Sequence, residues 1–420
     1  MTSIEGRLAR LLNIALALSL VILPAAEAKH RTSSATHHFS NHRLISMALP
    51  AKRTVYAAHH RHKLRGKASS RVQRLQQEIG VLVMTEDGDT VLDQLSNIEF
   101  NPASAVKIVT AYGALKTWGP NYRFTTNVLV DGELNKETGV LAGDVYIQGA
   151  DPEFEREDAM SLCQSLSDAG VKKIEGKLLV SPGFSYRCDS DSSRSARSLL
   201  NVWRHMGGAR VTAHSGGTVA QIPQSAQSVV EYQSEPLRDT LKEMLCFSLN
   251  QVAEQMGRSL GGVHKLEEIV SQQIGTAPGA LKLASASGLG KSRVKPRDMM
   301  LVLKGLRTEL RANDLDFKDI FPVAGIDRGT LDERFTAPTE RGSVVAKTGT
   351  LPGTDGGASA LVGMLRSQKE DLYFVIFCWR GNVVSFRHQQ DQLIRRLQAQ
   401  RGGPKPYDYG SLAVPADDGV

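Results

Sequence analysis

The stretch Phe100–Pro120, FNPASAVKIVTAYGALKTWGP, constrains the fold of this chain more than any other. Val106, Val109, Ala111, Leu115 and Trp118 recur at helical spacing, and Gly119-Pro120 stops the run, which predicts a helix. Ser104 stands two residues after Pro102, and Lys107 follows it at i+3. Residues i and i+3 share a helix face, so the lysine amine lies beside the serine hydroxyl. Ser104 falls in the first turn, where unpaired N–H groups and the positive end of the dipole favour a developing negative charge. A serine is a weak nucleophile until a neighbouring base takes its proton. A lysine becomes such a base when burial disfavours its ammonium form. Taken alone, the same pattern also fits a capping serine and a solvated lysine on a core helix. The rest of the chain decides between them.

At 420 residues the chain exceeds one ordinary domain, so two folded units with tails are expected. A hydrophobic content of 41% and 38 glycines suit a soluble globular body with many turns. Arg7 and Arg10 precede the apolar run Leu11–Leu23, which ends at Pro24 and the small-residue site Ala26-Glu27-Ala28. Residues 1–28 therefore read as a secretory signal peptide, and the protein as exported to the periplasm or cell envelope. Residues 29–77 hold eleven Lys/Arg, seven of the eleven histidines, and no Asp or Glu. This segment lacks apolar periodicity until Arg71–Ile79, which reads as a helix, and is expected to be a disordered basic arm. Such an arm suits an anionic wall polymer or membrane surface, or serves only as a linker. Its histidines have no Cys or acidic companions, so no metal site is expected there. Residues 401–420, rich in Gly, Pro and Asp, read as a loose tail.

Of the four cysteines, Cys246 and Cys378 sit in apolar runs and read as buried thiols, which leaves Cys163–Cys188 as the one pairing to consider. No CxxC, HExxH or glycine-rich phosphate loop occurs, so no metal, cofactor or nucleic acid is called for. Gly80–Met84 and Thr90–Leu95 read as two strands around the turn Glu86–Asp89. Arg123–Val130, Gly143–Gln148 and Lys177–Val180 read as strands and Asp158–Ala169 as a helix, whereas Cys188–Ala226 is poorly patterned. Leu237–Gly257 is helical except at Ser248-Leu249-Asn250, where only a non-helical turn points Ser248 and Asn250 together. Val344–Thr350, Ala358–Leu365 and Leu372–Trp379 form an antiparallel meander, closed by a helix at Gln389–Gln398. The first of these strands carries Lys347-Thr348-Gly349-Thr350. A lysine and hydroxyls on one face, beside a glycine that lets a ligand approach the backbone, suit a carboxylate.

Ser-x-x-Lys, Ser-x-Asn and Lys-Thr-Gly in this order are the three signatures of penicillin-recognising serine enzymes. Together with the phrases GDVYIQGADPEF, SEPLRDTLKEMLCFSLNQVAEQM and FPVAGIDRGTLDERF, they make residues 77–397 resemble the D-alanyl-D-alanine carboxypeptidase/endopeptidase family of class C penicillin-binding proteins. The resemblance implies an α/β (α+β) fold of the β-lactamase/transpeptidase type, with an antiparallel sheet flanked by helices. That domain would comprise 78–123 and 232–400, with one mixed α/β domain, 124–231, inserted. It implies Ser104 as nucleophile, Lys107 as base and Ser248 as proton relay. Asn250, Lys347, Thr348, Gly349 and Thr350 would bind substrate, with the Ser104 and Thr350 N–H groups as oxyanion hole. The substrate would be a peptidoglycan stem peptide and β-lactams would be inhibitors. Three departures stand out: Leu249 where the family usually has aspartate, Ser285-Ala286 where it has aspartate-glycine, and a short insertion. Two other readings are open: a slow peptidoglycan-binding scaffold and a β-lactamase. Measuring D-alanine release beside β-lactam turnover separates all three.

Overall fold

The computed structural model describes residues 78–189, 191–205, 210–211 and 216–408. The expected signal peptide, the expected basic arm with most of the expected Arg71–Ile79 helix, and the last twelve positions of the expected tail lie outside these. The elements in chain order are β1 (Ile79–Thr85), β2 (Thr90–Gln94), α1 (Val106–Trp118), β3 (Thr125–Asn135), β4 (Val140–Gln148), α2 (Arg156–Asp168), β5 (Lys173–Ile174) and β6 (Leu178–Val180). They continue as α3 (Ser192–His205), β7 (Arg210–Val211), β8 (Gly216–Thr218), β9 (Gln227–Gln233), α4 (Leu237–Cys246), α5 (Asn250–Ser259) and α6 (Val263–Ile274). The chain then forms α7 (Pro296–Arg311), α8 (Phe317–Ile320), β10 (Val344–Leu351), β11 (Ala358–Leu365), β12 (Leu372–Trp379) and α9 (Val383–Ala399).

The first sheet has the order β10-β11-β12-β1-β2 and is antiparallel throughout. Its pleat sorts side chains to two faces. Tyr373, Val375 and Phe377 of β12 join the helical core around α1 and α4 to α7, while Phe374, Ile376 and Cys378 join a second core against α9. The helix α1 runs through the middle of the first core: its ten residues from Val106 to Leu115 are all buried. The meander falls where the apolar runs placed it, with Lys347 opposite Val362 and Thr350 opposite Ser359.

The second sheet follows β7-β5-β4-β3-β9, with β6 beside β4 and β8 beside β6. Its β3–β4 and β3–β9 pairs are antiparallel, and β4–β6 and β6–β8 are parallel. A separate core of α2, α3 and this sheet encloses it, centred on Trp203, whose indole donates to the Ala159 carbonyl at 3.0 Å.

Four expectations need correction. Cys188–Ala226 is not unpatterned, because Ala196, Leu199, Leu200 and Trp203 make the buried stripe of α3. The closing helix starts at Val383, since the Asn382 side chain accepts from the Ser385 N–H and caps it early. No disulfide joins the four cysteines: Cys163 is buried in the second core, while the Cys188 thiol meets the Pro152 carbonyl at 3.3 Å and packs against the first core. The tail is bound at its start: the Tyr407 N–H donates to Gly342, and the Arg366 guanidinium lies 4.2 Å from the Tyr407 ring.

Candidate active site

Ser104 occupies a single 3-10 turn, Ala103–Ala105, that runs directly into α1. The residue before it, Ala103, has φ +49°, a left-handed conformation costing about 1 kcal/mol for a residue with a Cβ. A buried side chain holds it there. Asn101 Oδ1 accepts the Ala103 N–H at 2.9 Å, and its Nδ2 donates to the Gly290 carbonyl at 2.9 Å and to Asp355 at 2.8 Å. Arg293 grips the same carboxylate with two hydrogen bonds of 2.9 Å and lies over Trp379. Burial raises the Asp355 carboxyl, but the bonds from Arg293 and Asn101 outweigh it and keep it below its ordinary range.

Two glycines seat this turn. A Cβ on Gly288, at φ +85°, would overlap the Ala103 carbonyl, and one on Gly349 would lie 2.5 Å from the Pro102 carbonyl. What Gly349 admits to the strand is thus the protein's own serine turn. Gly288→Ala should therefore push the turn off its seat. It is expected to lower stability by about 1–3 kcal/mol and slow acylation, read from a melting curve and from penicillin labelling rates. Unchanged values in both would show that the turn is not held by this contact.

Lys107 is fully buried on α1. Its Nζ meets Ser104 Oγ at 3.4 Å, Asn250 Oδ1 at 2.7 Å and the Ser287 carbonyl at 2.8 Å. Burial lowers its pKa from 10.5 to about 7, opposed only in part by the Glu254 carboxylate. An amine that is half neutral near pH 7 and touches a hydroxyl can take that hydroxyl's proton. The interruption expected at Ser248-Leu249-Asn250 is a turn between two helices. Ser248 turns the chain at φ +57° between α4 and α5, and Asn250 opens α5. Glu254, which the motifs did not reveal, lies one turn along from Asn250 and accepts the Ser287 N–H at 2.9 Å. Its i+4 spacing from Asn250 was the available signal.

The departure at Ser285-Ala286 is accommodated locally. Ser285 Oγ accepts the Gly288 N–H at 3.1 Å, closing the turn as a short carboxylate would. Ala286 finds room because Gly257 has no side chain; a Cβ there would stand 2.5 Å from that of Ala286. The third departure residue, Leu249, is partly buried against the helical core.

The strand β10 forms one edge of the first sheet. Lys347 is fully buried on the face it shares with Val345, and its Nζ donates to the Thr348 carbonyl at 2.9 Å. Burial first, and then neighbouring Lys107, push its pKa well down. The expectation of a lysine and hydroxyls on one face is not met, because a strand alternates. Thr348 and Thr350 lie on the other face, and Thr350 Oγ1 accepts from Arg387 of α9 at 3.0 Å. What these threonines direct towards the site is backbone. The Ala346 N–H donates outward to Pro322, so Thr348 and Thr350, two and four residues on, turn their backbone to the same edge, where the Thr348 carbonyl already accepts from Lys347 Nζ.

The structure thus sets a buried lysine against a serine in the 3-10 turn that enters a core helix, in a domain whose first sheet ends at β10. The chain belongs to the D-Ala-D-Ala carboxypeptidase 3 (S13) family, whose model matches residues 66–185 and 182–400. It is 28% identical over 186 residues to the D-alanyl-D-alanine carboxypeptidase DacB of Haemophilus influenzae, covering 41% of this chain and 37% of that protein. It is 24% identical over 363 residues to the carboxypeptidase Rv3627c of Mycobacterium tuberculosis, covering 74% of this chain and 77% of that one. In fold it is similar to the penicillin G-acylated predatory endopeptidase Bd3459 of Bdellovibrio bacteriovorus, with TM-score 0.68 and 22% identity over 79% of this chain and 94% of that one. Penicillin binding protein 4 of H. influenzae gives TM-score 0.63 and 22% identity over 79% of this chain and 99% of that one. These likenesses agree with the α/β class and antiparallel sheet read from the sequence.

Proposed function

We propose that this protein is an exported serine-type D-alanyl-D-alanine carboxypeptidase acting on peptidoglycan stem peptides, with D,D-endopeptidase action on crosslinks as a second use of the same site. The observation that carries the reading is Lys107, buried, with its pKa near 7, in contact with Ser104. Lys107 takes the Ser104 proton as Oγ attacks the carbonyl carbon of the penultimate D-alanine. The resulting oxyanion is held by the backbone N–H groups of Ser104 and Thr350. Ser248 passes a proton to the amine of the terminal D-alanine, the C–N bond breaks, and an ester remains on Ser104. Water then hydrolyses that ester and restores the hydroxyl. Asn250 bonds the substrate's backbone amide, and the open edge of β10 pairs with its extended chain. Lys347 faces the terminal carboxylate; a carboxylate there pulls its lowered pKa back up and fixes its charge. Gly349 serves by letting β10 close on the serine turn. β-Lactams acylate the same serine.

Export rests on the reading of residues 1–28, and the basic arm is proposed to hold an anionic wall polymer or membrane surface. The direct test is to measure D-alanine release from diacetyl-lysyl-D-alanyl-D-alanine beside turnover of a β-lactam. Release with slow β-lactam turnover is expected. Fast β-lactam turnover without release would make the protein a β-lactamase, and neither activity would leave a binding scaffold.

A further inference from the structure

A polar cavity of about 600 Å³ opens at one end of the second sheet. Strands β4, β6 and β8 run parallel, so the residues that follow their carboxyl ends gather along one rim. This is where parallel strands commonly receive ligands. Thr125, Asn127, Gln148, Ser181 and Gln221 line the cavity, and Asn127 and Gln148 are directly paired across β3 and β4. Among the described residues none of these five side chains is engaged in a hydrogen bond within the protein. They offer amide and hydroxyl donors and acceptors and carry no charge. Val219 and Ile222 supply apolar surface beside them, and no charged residue lines the space.

We infer that this cavity binds the neutral, N-acetylated sugar chain of peptidoglycan, an inference that rests on the substrate class proposed above. A stem peptide brings carboxylates and amines, which this lining could not neutralise. A glycan brings hydroxyls and acetamido groups, which neutral amides match one for one, with acetyl methyls against Val219 and Ile222. The cavity also stands where the chain crosses between the sheets. Phe124, immediately before Thr125, is packed in the helical core that contains α1. Holding the glycan here raises the local concentration of stem peptides without contributing to the chemistry at Ser104.

The test titrates the full-length protein with tetra-N-acetylchitotetraose by calorimetry and compares the variant Asn127→Ala/Gln148→Ala/Gln221→Ala. None of these side chains supports the fold through a hydrogen bond, and a thermal melt confirms that the variant is intact. Binding weakened about ten-fold or more is expected, a loss of roughly one good hydrogen-bond set. Release of D-alanine from the small tripeptide should be unchanged while release from intact sacculi falls. Equal affinity of the two proteins for the tetrasaccharide, or no binding by either, overturns the inference. So does a soluble stem peptide competing with the tetrasaccharide. If the unaltered protein releases no D-alanine from the tripeptide, it is the proposed activity that fails, and the sugar titration remains readable by itself.

Discussion

Ser104→Ala is expected to abolish covalent labelling by a fluorescent penicillin and to cut D-alanine release by about four orders of magnitude or more, as loss of a serine nucleophile does elsewhere. Among the described residues the oxygen removed makes one side-chain hydrogen bond, the long one to Lys107, so the fold should be untouched. The variant should even retain non-covalent substrate binding, since Asn250, Lys347 and the β10 edge are unaltered. Intact labelling of Ser104→Ala, mapped to another residue, would remove Ser104 from the nucleophile's role.

Activity of the unaltered protein should rise as pH passes through about 7, because only the neutral amine of Lys107 can accept a proton. Lys107→Arg should be inactive by about two to four orders of magnitude, since a guanidinium stays protonated. Lys107→Met should be equally inactive but more stable. The folded protein releases this proton near pH 7, whereas the unfolded chain keeps it to about 10.5. The unfolded state therefore binds more protons between those values, and stability rises with pH across that window. Below pH 7 the burial costs of the order of 5 kcal/mol, and methionine avoids most of that cost. Chemical denaturation of Lys107→Met at pH 6 reads the gain. A Lys107→Met no more stable than the parent, or an active Lys107→Arg, would contradict the picture of a desolvated base.

The site was legible in the sequence wherever its parts were close along the chain. Ser104 and Lys107 sit one turn apart, and Ser248 and Asn250 flank one residue in a turn, so each pair shows as a short motif, and the three motifs in order, not any spacing alone, single them out. The support of Ala103 was not legible, because Asn101 and Asp355 are 254 positions apart and no periodicity links them. Lys347 is legible in its motif, but composition sets its neighbouring threonines on the wrong face. Reading a strand by composition rather than by its two-residue alternation put Thr348 and Thr350 beside it. In the second sheet α3 escaped notice for a related reason. Its serine- and arginine-rich first turns masked the i, i+3, i+4, i+7 stripe from Ala196 to Trp203 that buries it.

The edge of β10 has a further consequence for how the molecule behaves in company. An uncovered sheet edge is a template on which a second copy can assemble, and long flat ones lead to aggregation. Here the chain shields the beginning of that edge itself: Ala324 donates to Val344, and Ala346 donates to Pro322. The shield stops at Ala346, so the backbone left open begins at Thr348 and belongs to a strand that ends at Leu351. That gap is long enough to pair with a few residues of extended peptide and too short to nucleate a strand-by-strand stack.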